Sequence, residues 1–163
     1  MDHGPKVGEP SPVFRLPALN GENLAIGQPK DRSQLLFFLS PTCPVCKKLL
    51  PILRALRTAE RRTIDVVLAS DGERSEHLDF IEREGLSSFT YVLSADLGMT
   101  FGIGKLPYAV LIGPDGHIDA KGLVNNREQI ESLLTAQEMG MGSLQDYLEV
   151  SRQPIEPAVT QEI

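Results

Sequence analysis

The chain's two cysteines, Cys43 and Cys46, flank Pro44 and Val45 in the stretch SPTCPVCKKLLP, residues 40–51. Two thiols three positions apart can supply half of a zinc site, sit inertly in a core, or exchange disulfides with a partner. As a structural cross-link the pair achieves little, because the unfolded-state entropy removed by a disulfide grows with the loop it closes. The zinc reading needs two more soft ligands, and His3, His77 and His117 are scattered without a paired spacing. We read all three histidines as surface residues and expect neither a metal nor a cofactor. Redox exchange is the chemistry that this spacing serves best.

Exchange requires one activated thiol and a second that resolves its product. A helix beginning at Pro44 meets both needs. Cys43 then falls at the N-cap, where unpaired backbone N–H groups and the positive end of the helix dipole favour thiolate. Cys46, one turn on and more enclosed, is the resolving thiol: Cys43 makes a mixed disulfide, and Cys46 releases the partner by closing the internal bridge. Pro44 and Val45 support the motif. Proline suits the first helical position, where its missing N–H costs no helical bond, and neither residue adds a titrating side chain. Pro41 helps to end the preceding strand, and Pro51 is expected to kink the helix.

The elements that must present this pair are legible around it. Residues 34–40, QLLFFLS, have too few polar positions to alternate, the pattern of a strand buried on both faces at the centre of a sheet. From residue 44 to 60, Val45, Leu49, Ile52, Leu53 and Leu56 recur at helical spacing, with Lys47, Lys48, Arg54 and Arg57 opposite. Residues 64–69 read as a second strand, and 73–84 as a charged helix stopped by Gly85. This β-α-β-α order favours a parallel sheet covered by helices.

Upstream, residues 13–26 with Asn20-Gly21 at their middle predict a hairpin extending one edge of the domain. Downstream come a weak strand at 90–93, a short helix at 95–102, and a hairpin of residues 108–112 and 117–121 around Gly113-Pro114-Asp115-Gly116. A helix at 126–138 opens with Asn126 and Gln129 as a capping box. Two glycines separate it from a shorter helix at 143–151. Residues 152–163, with two prolines and little periodicity, are expected to be a mobile tail behind a domain of residues 1–151.

The totals agree with one domain. The 163 residues are 41% hydrophobic, sufficient for a core of ordinary size. A net charge of -6 and the lack of any basic run argue against a nucleic-acid partner. No window is long and apolar enough to span a bilayer, and the first residues lack a signal-peptide pattern, so the chain is expected to be soluble. Its abrupt start fits a chain from which an anchor or leader was removed.

The strand FFLS, then CPVCK, then Pro51, then KLPYAVLIGPDGHI together resemble the thioredoxin superfamily, over about residues 7 to 138. The resemblance implies an α/β thioredoxin-like fold: a central mixed sheet flanked by helices, here with an N-terminal β-hairpin and an inserted β-α unit. It also implies that Pro107 is the cis-proline standing beside the cysteine pair, and that the Leu106 backbone binds a substrate strand. The hairpin and the insertion look like the membrane-tethered periplasmic branch. Within that branch, SPTCPVCKKLLP with KGLVNNREQIESLL is similar to the MauD family of methylamine utilisation. That likeness implies a cysteine-rich client, such as the small subunit of methylamine dehydrogenase, and a membrane-bound redox partner. The same residues would also serve a reductase for apocytochrome c, or a fold that binds its client without chemistry. Two departures stand out: Thr42 replaces the tryptophan that commonly precedes the first cysteine, and Phe37 occupies the place of thioredoxin's buried acid.

Overall fold

The apolar run leading into the cysteine pair forms a strand with every residue buried, and the other elements are arranged about it. The computed structural model describes residues 4–139. Among these the elements follow as β1 (Phe14–Pro17), β2 (Asn23–Ile26), β3 (Ser33–Phe38), α1 (Pro44–Ala59), β4 (Ile64–Ser70) and α2 (Arg74–Glu84). Then come β5 (Thr90–Leu93), α3 (Ala95–Thr100), β6 (Tyr108–Ile112), β7 (Ile118–Leu123) and α4 (Arg127–Met139). The expected helix at 143–151 and the tail at 152–163 lie outside the described residues. No helix among those described is long and apolar enough to cross a membrane.

Five strands form one mixed sheet in the order β5-β4-β3-β6-β7, with β3 at its centre. Strands β3, β4 and β5 run parallel, as helical crossovers require, whereas β6 and β7 join antiparallel through the Gly113–Gly116 turn. Gly116 takes the positive φ of 84° that this turn needs. The β1–β2 hairpin turns at Gly21 and is a two-stranded sheet of its own. It touches the β5 edge through a bridge between Ala18 and Val92.

Because side chains alternate along β3, the sheet has two apolar faces, and each is covered. Leu35, Phe37 and Leu39 pack with Cys46, Leu49, Leu50 and Leu53 of α1, Phe80 of α2, and Ile130 and Leu133 of α4. Leu36 and Phe38 face the other way, onto Ile26 of the hairpin and Leu97 of α3. The buried stripe of α1 is therefore rotated from the sequence reading. Leu50 and Cys46 are enclosed, while Val45, Ile52 and Leu56 are only half-buried. The apolar arc of α1 runs from Ile52 and Val45 round to Cys46 and Leu50, wider than the strip that meets the sheet, so periodicity alone could not fix which of these residues face it.

The helix ends follow local chemistry. Gly85 closes α2 at φ 69°. At the start of α4 the Gln129 amide N–H donates to Asn126 Oδ1 at 2.9 Å, the expected cap. The reciprocal bond differs from a capping box by one residue: Gln129 Oε1 accepts from the Asn125 N–H at 2.6 Å.

Candidate active site

The chain leaves β3 at Phe38 and reaches Cys43 through a short turn in which the Thr42 N–H and hydroxyl both bond Ser40 Oγ. The Cys43 N–H donates to the Ser40 carbonyl at 3.2 Å. Cys43 is extended, with φ -94° and ψ 110°, and caps α1: the Cys46 N–H donates to its Sγ at 3.2 Å. Pro44 occupies the first helical position and is exposed, and Val45 is half-buried. Pro51 lies inside α1, which continues across it to Ala59.

The two sulfurs, both free thiols, have unequal surroundings. Cys43 is partly exposed, whereas Cys46 is 0% exposed among Leu49, Leu50 and the β3 side chains. Burial pushes the Cys46 thiol up to about 12, helped by its hydrogen bond with Cys43 and by charge on that neighbour. At neutral pH Cys46 is therefore a protonated thiol, poised beside the more accessible sulfur.

Sheet register brings a second segment to the same end of the fold. Phe38 pairs with Tyr108, so Pro107, just before β6, lies beside the chain leaving β3 for the cysteines. The Leu106–Pro107 peptide is cis. Pro107 is buried, and its carbonyl accepts from the Val124 N–H at 3.1 Å. Leu106 is 41% exposed, and among the described residues no hydrogen bond engages its backbone. Next to it opens a cleft of about 290 Å³ bounded by Leu39, Ser70, Asp71, Met99, Lys105 and Leu106. Met99, 75% exposed, and Leu106 place two apolar side chains at its edge.

One sequence expectation fails. His77 is not at the surface: it is fully buried, with Nδ1 2.6 Å from the Tyr91 hydroxyl and Nε2 2.7 Å from the Asp71 carbonyl. The buried face of α2 consists of His77 and Phe80, while Leu78 is 42% exposed. The three-residue spacing of His77 and Phe80 was the available signal, masked by the apolar Leu78 and Ile81. His117 does lie at the surface, beside Asp115, and His3 is outside the described residues. Phe37 is fully buried on the face shared with Cys46 and brings no ionisable group there. Among the described residues no cluster of three or more His, Cys, Asp or Glu side chains is placed to hold a metal ion.

The redoxin family pattern matches residues 6–136. The chain is 47% identical to the methylamine utilization protein MauD of Paracoccus versutus over 147 residues, 90% of this chain and 74% of that protein. It is 24% identical over 136 residues to the thiol-disulfide oxidoreductase ResA of Bacillus thuringiensis, covering 79% of this chain and 77% of that one. Among solved structures, StoA from Bacillus subtilis superposes with a TM-score of 0.66 at 25% identity, covering 77% of this chain and 98% of StoA.

Proposed function

This chain belongs to the redoxin family, among its MauD members, and is a thioredoxin-like thiol–disulfide oxidoreductase; from that membership we propose that Cys43 and Cys46 carry the exchange and that its client is a cysteine-rich protein outside the cytoplasm. The observation that carries the assignment of roles is the asymmetry of the sulfurs. Cys43 is accessible and accepts an amide hydrogen bond, while Cys46 is enclosed and held protonated by burial.

In the reducing direction Cys43 thiolate attacks one sulfur of the client disulfide, forming a mixed disulfide and releasing the other client sulfur as thiolate. Cys46 then loses its proton and attacks Cys43 Sγ. The Cys43–Cys46 bond forms, the bond to the client breaks, and two electrons have passed from the dithiol to the client. The reverse sequence oxidises the client. Leu106, with an unengaged backbone beside Pro107, offers main-chain hydrogen bonds to an extended client segment.

The methylamine-utilization name of the MauD relatives supports the small subunit of methylamine dehydrogenase as the client. A disulfide-handling protein is useful where disulfides persist, so the periplasm is the fitting compartment, with a membrane-bound redox partner to restore the pair. The test is a Cys46→Ser variant expressed in the source organism. A mixed disulfide on Cys43 that retains the methylamine dehydrogenase small subunit is expected. Absence of any covalent adduct rejects the exchange role, and capture of apocytochrome c instead reassigns the client.

A further inference from the structure

Cys43 is joined to β3 by residues 39–42, which belong to neither strand nor helix. Pro41 has no N–H, and the Thr42 and Cys43 N–H groups both bond back to Ser40, so the turn is closed on itself. Its attachment to the sheet falls on Leu39. The Leu39 N–H donates to the Ala69 carbonyl at 3.0 Å, the rung that follows the Phe38–Ala69 pair. The Leu39 carbonyl accepts from the Ser70 hydroxyl at 2.7 Å. In a continuing parallel ladder that second bond would come from the Asp71 N–H. Instead β4 ends at Ser70 and the chain turns away through Gly72 at φ 110°, so a side chain completes the rung. Ser70 is itself anchored from β5: it pairs with Leu93, and its carbonyl accepts from the Ser94 N–H at 2.9 Å.

We propose that Ser70 is a positioning residue for thiol exchange, its hydroxyl setting where Cys43 stands relative to a docked client, an inference that rests on the assignment of attack to Cys43. Every link in the path is a bond of the structure. Ser70 Oγ holds the Leu39 carbonyl, and the rigid Leu39–Ser40 peptide carries that orientation to Ser40. The Ser40 carbonyl then accepts from the Cys43 N–H at 3.2 Å, and Cys43 Sγ accepts from the Cys46 N–H at 3.2 Å. Leu39 is buried, so without the hydroxyl its carbonyl must turn to find another partner, and the peptide turns with it. The docking backbone is placed separately. Leu106 is located by β6, whose Tyr108 pairs with Phe38, and by the bond from the Val124 N–H to the Pro107 carbonyl. Beyond the Phe38–Tyr108 rung the two segments part, and the Leu39 bonds to β4 keep the sulfur in register with Leu106. Attack on a disulfide needs the sulfur in line with the bond it breaks. A client segment held at Leu106 cannot follow a displaced sulfur, and a misplacement of about 1 Å can cost on the order of a hundredfold in rate. A small reagent free in solution is spared that penalty.

The test compares two reactions of Cys43 in a Cys46→Ser parent, where a mixed disulfide persists. The client surrogate is an extended peptide whose single cysteine is joined to thionitrobenzoate. Cys43 thiolate attacks the peptide sulfur, the new disulfide forms, and the bond to thionitrobenzoate breaks, releasing it as a coloured thiolate. Iodoacetamide, which needs no docking, is the reference. Ser70→Val and Ser70→Thr have nearly the same shape and differ in the hydroxyl. Ser70→Val is expected to slow the maximal rate of release about tenfold or more, with half-saturating peptide and alkylation rate within about twofold of the parent, and Ser70→Thr to restore the parental rate. Parental release in Ser70→Val, slowing in Ser70→Thr equal to that in Ser70→Val, or equal slowing of release and alkylation overturns the proposal. A parent that is alkylated at Cys43 yet releases no thionitrobenzoate defeats the exchange chemistry instead. NMR of the unsubstituted protein gives a check independent of variant folding. The Ser70 hydroxyl proton is expected in slow exchange with water, and a hydroxyl signal averaged with solvent contradicts the tether.

Discussion

Cys43 and Cys46 are one helical turn apart, yet the surroundings of each sulfur differ enough to separate their roles. The half-exposed sulfur takes an amide hydrogen bond; the buried one meets apolar side chains and the first sulfur. The pair, its spacing and the N-cap placement were readable in the sequence because they depend on neighbours in the chain. The burial of His77 was not, since its partner Tyr91 arrives from β5, fourteen positions away. The raised Cys46 thiol also makes a prediction about stability. Its folded pKa lies above the ordinary 9.0, so between about pH 9 and 12 the unfolded chain has already lost a proton that the folded one keeps. This contribution is fully present below pH 9 and is lost as pH rises towards 12, with Tyr91 acting in the same direction. The melting temperature of the dithiol form should therefore fall across this alkaline range, and less steeply in Cys46→Ala. Equal slopes would remove Cys46 as the cause.

At the scale of elements, the site depends on a strand, a helix and a loop held at one end of the sheet. The strand at 34–40 and the hairpin at Asn20-Gly21 were legible because a continuous apolar run and a positive-φ turn leave few alternatives. The facing side of α1 was not, since both Leu50 and Ile52 are good core residues and only the sheet selects between them. The short helix α3 borders the cleft and is capped by Ser94, whose Oγ accepts from the Leu97 N–H at 3.0 Å. Ser94→Ala should cost about 1 kcal/mol in denaturant unfolding. An unchanged midpoint would mean that the packing of Leu97 alone holds α3.

Among the described residues the sheet separates two cores, one shared with the cysteine helix and one beneath the N-terminal hairpin. The sequence indicated a layered α/β fold, but the division of labour between faces emerges only from the strand order β5-β4-β3-β6-β7. Stability and thiol chemistry should therefore separate by face. Ile26→Ala, in the hairpin core, should cost about 2–5 kcal/mol while leaving the rate of Cys43 modification unchanged. Leu49→Ala, in the core of Cys46, should cost a similar amount and also raise the accessibility of Cys46 to alkylation. If both substitutions disturb the thiols equally, the two faces are not independent.

The unequal reactivity of the two sulfurs is tested most directly by brief, substoichiometric alkylation of the native dithiol protein at neutral pH, with the labelled cysteine located by peptide mass mapping. The label should fall on Cys43 and leave Cys46 unmodified. Equal labelling, or preference for Cys46, would contradict the assignment of attack to the first sulfur and resolution to the second.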